Sequence, residues 1–214
     1  SVSISSGLNY LTAVGNTLYF RADDGINGAE LWKSDGTASG TVMVKNIRSG
    51  SSGGNIKYIT AIGNTLYFSA SDGTSGDELW KSDGTASGTV MVKDIRVPSG
   101  SSLPYELTVV GTTLYFRADD GTNGYELWKS DGTASGTVMV KDINSGSNSG
   151  SPGSLTAVGN TLYFTADDGT NGRELWKTDG TSSGTVMVKD INSGSSSSDP
   201  FHLTAIGNTF YFRA

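Results

Sequence analysis

Residues 30–45 read ELWKSDGTASGTVMVK, and the same string returns at 78–93 and 126–141, then at 174–189 with only Thr178 and Ser182 changed. Trp32, Trp80, Trp128 and Trp176 keep one interval of 48 residues, and so do Leu18, Leu66, Leu114, Leu162 and Phe210, without an insertion or deletion. A strict period of this size marks a repeat architecture, in which a unit too small to hide its own apolar faces stacks on its neighbours.

Within residues 11–58 the pattern predicts four short strands, Leu11–Val14, Thr17–Ala22, Glu30–Lys33 and Thr41–Ile47, rich in β-branched and aromatic residues and bounded by Gly, Asn, Asp and Ser. No helical period appears. Gly15-Asn16 is a two-residue link suited to a tight hairpin, while DDGING and SDGTASG suit longer ones. Three successive hairpins make an antiparallel meander. The fourth join, such as RSGSSGGNIKY, runs about 11 residues and reads as a polar, flexible crossover to the next sheet. Along the second strand Leu18, Phe20 and Ala22 share one face and Thr17, Tyr19 and Arg21 the other, so large side chains occupy both. A sheet that needs cover on both faces predicts an all-β, β-propeller-type repeat of four-stranded antiparallel blades. A β-solenoid is the alternative. The expected organisation is one repeat domain over 1–214, with blade units at about 11–48, 59–96, 107–144 and 155–192 and a partial fifth at 203–214.

Composition narrows the function classes. An apolar content of 35% is enough for a core, and no apolar run is long enough for a membrane helix. No membrane insertion is therefore expected, and a net charge of -6 without a Lys/Arg cluster argues against nucleic acid and anionic membrane as partners. With no cysteine, thiolate metal sites, disulfides and thiol nucleophiles are excluded. SVSISSGLNY has neither the positive nor the apolar region of a secretion signal.

No catalytic constellation stands out. The single histidine, His202, has no counterpart in the other units and reads as an exposed crossover residue. Asp23-Asp24, Asp119-Asp120 and Asp167-Asp168, each followed by Glu30, Glu126 or Glu174, resemble acid/base pairs, but an identical site in every unit is unlike an enzyme's one asymmetric pocket. The same DDGxNG loops offer oxygen ligands, which makes Asp24, Asn27, Asp120, Asn123, Asp168 and Asn171 ligand-binding candidates and Asp23, Asp119 and Asp167 weak calcium candidates. The competing reading is that these residues cap their own turn, and Ser71 replaces an Asp in the second loop. No other cofactor is expected. The tryptophans read as packing between blades more than as sugar-stacking surfaces. Asp35, Asp83, Asp131 and Asp179 should fix the third hairpin, and Lys33 and its counterparts should be solvated or paired with the Glu of their own strand. Ala29, Asp77, Tyr125 and Arg173 occupy one position that changes from unit to unit, where a functional preference could lie.

The string Glu-Leu-Trp-Lys-Ser/Thr-Asp-Gly-Thr followed by Gly-Thr-Val-Met-Val-Lys resembles the bacterial ELWxxDGT repeat family across all four units. That resemblance implies a secreted or surface-exposed, propeller-like protein. LTAVGNTLYF before ELWKSDG is also similar to a kelch blade, without the Gly-Gly pair, and SDGT to the Asp-box of sialidase-type propellers, without its spacing or aromatic residue. The expected role is a non-catalytic structural or adhesive scaffold outside the cell, with a multivalent carbohydrate-binding propeller as the alternative. Residues 193–214 repeat the phase of 1–22, so three arrangements are open: a piece of a longer array, a ring with a stunted blade, or a homo-oligomer or polymer formed by strand sharing.

Overall fold

The computed structural model describes residues 8–206 and 209–214. Residues 1–7, on which the leader reading rests, and Gly207-Asn208 of the fifth unit lie outside the described residues. All regular structure among those described is β-strand. The chain forms two compact units, Ser1–Pro104 and Tyr105–Ala214. The first unit holds β1 (Asn9–Val14), β2 (Thr17–Asp23), β3 (Ala29–Ser34) and β4 (Val42–Lys45) in one sheet, and β5 (Lys57–Ile62), β6 (Thr65–Ser71), β7 (Asp77–Ser82) and β8 (Val90–Lys93) in another. The second unit holds β9 (Tyr105–Val110), β10 (Thr113–Asp119), β11 (Tyr125–Ser130) and β12 (Val138–Lys141), then β13 (Gly153–Val158), β14 (Thr161–Asp167), β15 (Arg173–Thr178) and β16 (Val186–Lys189), and a hairpin of β17 (Phe201–Ile206) with β18 (Thr209–Arg213). Strand order follows chain order in every sheet and every pair is antiparallel, which no solenoid coil has.

Register explains why both faces are apolar. Phe20 lies opposite Trp32 and Ala22 opposite Glu30 on one face, while Tyr19 lies opposite Lys33 and Arg21 opposite Leu31 on the other. In the first unit Tyr19, Leu31 and Val44 of one sheet pack against Leu66, Phe68, Ala70 and Trp80 of the next. The second unit repeats this with Tyr115, Leu127 and Val140 against Leu162, Phe164, Ala166 and Trp176. Phe68, Phe116 and Phe164 are wholly buried. At about 25 cal/mol per Å2 of apolar surface removed from water, this sandwiching is the dominant favourable term. The tryptophans belong to it, Trp80, Trp128 and Trp176 being buried and Trp32 half-buried. First strands run alongside first strands within each unit, Thr12 Oγ1 donating to the Ile59 carbonyl at 2.9 Å. In the last hairpin Phe210 stacks on Tyr163 with ring centroids 4.6 Å apart.

Three expectations are corrected. The fourth strand is shorter than Thr41–Ile47, ending at Lys45, because the N–H groups of Ile47 and Arg48 turn away to the Glu30 carboxylate. The first strand begins at Asn9 instead of Leu11 and carries a bulge, with Tyr10 at φ +56° and a register shift between Asn9 and Thr12. The crossover is pinned, not flexible: Gly54 N–H donates to the Ala29 carbonyl at 3.0 Å and Ser71 N–H to the Gly54 carbonyl at 2.8 Å. It lies so close to the β2–β3 loop that a Cβ on Gly28 would stand 2.4 Å from the Gly53 nitrogen, so only glycine fits there.

Candidate functional site

The DDGxNG loops close on themselves. Asp24 Oδ1 accepts from the N–H groups of Ile26 and Asn27, and Asp24 Oδ2 from Asn27 Nδ2 at 2.7 Å. The pairs Asp120/Asn123 and Asp168/Asn171 repeat this bonding, while Asp23, Asp119 and Asp167 each accept from the glycine N–H two residues on. Hydrogen bonds from Asn27 hold the Asp24 carboxyl below its ordinary value. Among the described residues no group of three or more His, Cys, Asp or Glu side chains could hold a metal ion. In the third hairpin Asp35 Oδ1 accepts from both N–H and Oγ1 of Thr37, and Gly40 N–H donates to Thr37 Oγ1.

The glutamates are hubs, not partners of the lysines. Glu30, Glu78, Glu126 and Glu174 are wholly buried. Glu126 accepts from Ile143, Asn144 and Gly150 N–H groups, and Glu78 from Ile95, Arg96 and Ser102 together with the Ser102 hydroxyl. Each therefore ties a strand to the crossover that follows it. Burial pushes the Glu78 and Glu126 carboxyls up to about 7, outweighing the hydrogen bonds that favour the charged form. Pairing of Lys33 with Glu30 is replaced by a bond from Lys33 Nζ to the Gly84 carbonyl at 2.9 Å, and Lys129 reaches the Gly180 carbonyl in the same way. His202, expected in a crossover, sits in β17 beside Phe201.

What remains is the set of side chains that change from sheet to sheet. Register places the start of each first strand across from the fifth residue of the second: Asn9 opposite Arg21, Lys57 opposite Ser69, Tyr105 opposite Arg117, Gly153 opposite Thr165 and Phe201 opposite Arg213. The position of Ala29, Asp77, Tyr125 and Arg173 opens the third strand at that same end. Sequence reasoning singled out this last position alone. The second-strand position was detectable as the changing letter in TLYFxA of the first four units, but only cross-strand pairing unites it with the first-strand openers.

In the first unit Lys57 and Asp77 neutralise one another, Lys57 Nζ lying 3.6 Å from Asp77 Oδ2 and Asn55 Nδ2 donating to both Asp77 oxygens, while Arg21 keeps a buried Nε without a hydrogen-bond partner. In the second unit the variable groups line a cavity of about 460 Å3, with Tyr105, Arg117, Arg173, Asp199 and Phe201 in its walls. The Arg117 guanidinium carbon lies 4.8 Å from the Tyr105 ring centre and 5.1 Å from that of Tyr125. Arg173 donates to the Ser151 carbonyl, and burial lowers its pKa, with Asp199 acting in the opposite direction. A few charged groups against aromatic walls, in a volume within the ~300–1,000 Å3 usual for small ligands, make a binding site more than a reaction centre.

No family model matches the chain, and no curated protein does. Solved structures do match. The chain is similar to prolyl oligopeptidase B from Galerina marginata at 13% identity and a TM-score of 0.60, covering 96% of this chain and 34% of that one. A puromycin hydrolase matches at 14% identity and a TM-score of 0.55 over 88% of this chain and 30% of that one. TolB from Acinetobacter baumannii matches at 12% identity and a TM-score of 0.50, over 80% and 41%. The matched regions are β-propeller domains, so the likeness is one of fold. The chain spans less than half the length of each of these three proteins.

Proposed function

We propose that the chain is a β-propeller built from 48-residue blades and serves, outside the cell, as a non-catalytic adhesive scaffold that recognises glycans through the changing end of its sheets. The observation that carries this is the division of labour within each sheet. Identical residues satisfy the backbone internally, as Asp35 and Glu126 do, while changing residues collect around the cavity beside Arg117. Sugar recognition suits that cavity because Tyr105 and Phe201, each carrying a guanidinium over its ring, bring apolar ring surface to its wall and Glu106 and Asp199 offer acceptors for hydroxyls. Several weak sites on one scaffold would gain by multivalency. The extracellular location follows the resemblance of the repeated ELWKSDGT string.

A glycan array probed with the whole chain tests this. Saturable binding to at least one glycan, weakened at least tenfold by Arg173→Gln and without glycan turnover, is the expected result. Silence across the array, or hydrolysis of the bound glycan, would overturn the reading.

A further inference from the structure

Arg117 is held in place without being neutralised. β10 carries it, and two tyrosine rings, one opposite it in β9 and one at the start of β11, flank its guanidinium. Such rings fix the plane of a guanidinium by cation–π attraction, yet they accept nothing along its N–H edge. Its Nε is buried without a hydrogen-bond partner, and among the described residues no hydrogen bond or ion pair reaches the rest of the group. Asp199 and Glu106 share the cavity but neither forms a salt bridge with it, and Glu106 Oε2 is already taken by the Leu155 N–H at 3.0 Å. A buried Nε–H left open costs free energy until an acceptor arrives, and the remaining N–H groups of this half-buried side chain are open to the cavity.

The acceptor that matches a planar guanidinium edge is a planar carboxylate, which takes two parallel N–H bonds. A doubly charged phosphate fits worse, because Glu106 and Asp199 would repel it more than a single negative charge. The same two carboxylates, with the Ser154 and Thr165 side chains, suit a ligand that also carries hydroxyl donors. Tyr105 and Phe201 suit one with an apolar ring face.

We infer that the cavity beside Arg117 binds an acidic sugar, a uronic acid residue whose carboxylate pairs with the Arg117 guanidinium while its hydroxyls meet Glu106 and Asp199. This rests on the glycan-binding reading above and narrows it to one sugar class.

Calorimetric titration of the whole chain with digalacturonic acid, with neutral digalactose and with glutamate tests the inference. Digalacturonic acid should bind at least tenfold more tightly than either comparator, Arg117→Gln should abolish that preference, and Arg117→Lys should restore part of it. Should Arg117→Gln fail to fold, phenylglyoxal labelling of the unaltered protein gives the same answer, with digalacturonic acid but not digalactose protecting Arg117. Equal binding of the acidic and neutral disaccharides removes the acidic-sugar inference and leaves the glycan reading standing. So does acidic-sugar binding that is indifferent to Arg117→Gln. Preference for glutamate over the sugar overturns the inference in favour of an amino-acid ligand. Failure of every saccharide, here and on the array, removes both.

Discussion

The two ends of each sheet are governed by different rules. At one end Asp35, Asp83, Asp131 and Asp179 follow the third strand, and the turn bonds to itself in the same way each time: Thr37, Thr85, Thr133 and Thr181 donate from N–H and Oγ1 to Oδ1. At the other end the residues that open the first and third strands differ in every sheet. Where a side chain must satisfy backbone groups, its identity is fixed by hydrogen-bond count and reach. Where the backbone is satisfied by its own ladder, the side chain is free to meet something else. The buried glutamates make the contrast sharper, since they sit near the changing end and yet never change: each turns inward to the crossover while its neighbour in the chain faces the variable set.

The comparison breaks most visibly at Glu126. Glu126→Ala strands the buried Ile143 and Gly150 N–H groups and the half-buried one of Asn144, and should cost roughly 3–5 kcal/mol of unfolding free energy in a urea titration, while Glu126→Gln, which keeps one of the two acceptor oxygens, should cost less. Equal losses for the two would show that packing, not bonding, makes the hub. Next comes Gly28→Ala, whose methyl would meet the Gly53 nitrogen at 2.4 Å and whose φ is +70°. A loss of about 2–4 kcal/mol is expected, with the crossover displaced and its amides exchanging faster.

The hubs also set a pH dependence. Glu78 and Glu126 are raised by burial from 4.5 to about 7, so the folded chain holds their protons more tightly than the unfolded one. That contribution is complete below the unfolded value of 4.5 and is lost as pH rises through about 7. Asp35, Asp83 and Asp179 are lowered by hydrogen bonds from the threonine two residues on, and their contribution is lost in the opposite direction, as pH falls below 3.8. The urea midpoint should therefore be higher at pH 5 than at pH 8, and Glu126→Gln should flatten the slope. A midpoint that climbs steadily from pH 5 to pH 8 would contradict it.

Smallest for stability are the changes at the variable end. Arg117→Gln forfeits two cation–π contacts and should move the unfolding free energy by only about 1 kcal/mol, while removing acidic-sugar binding altogether. A variant as damaging as Glu126→Ala would place Arg117 in the frame and dissolve the distinction between the two ends.

The meander was legible because its signals are local. Gly15-Asn16 marks a hairpin within two residues, and the alternation in TLYFRA exposes both apolar faces without reference to anything distant. The glutamate hub was not, because its donors lie 17 to 24 residues away in a Ser/Gly segment that reads as loose chain. Composition carries no trace of where those N–H groups return. Tyr105 and Arg117 likewise meet only through antiparallel register, and the bulge in the first strand decides which pair faces which.

Near the start of every first strand stands a residue with left-handed backbone, Tyr10, Tyr58, Glu106, Ser154 and His202 at φ 54–56°, and none of the five is glycine. The strain of about 1–2 kcal/mol arises from the L-configured backbone and is shared by all five, though branching at Cβ would add to it. The chain already varies the chemistry at these sites, with phenol, carboxylate, hydroxyl and imidazole, although at Glu106 the carboxylate also holds the Leu155 N–H. A combinatorial library at Ser154 and His202, whose side chains make no such tie, would sample new specificities at almost constant melting temperature.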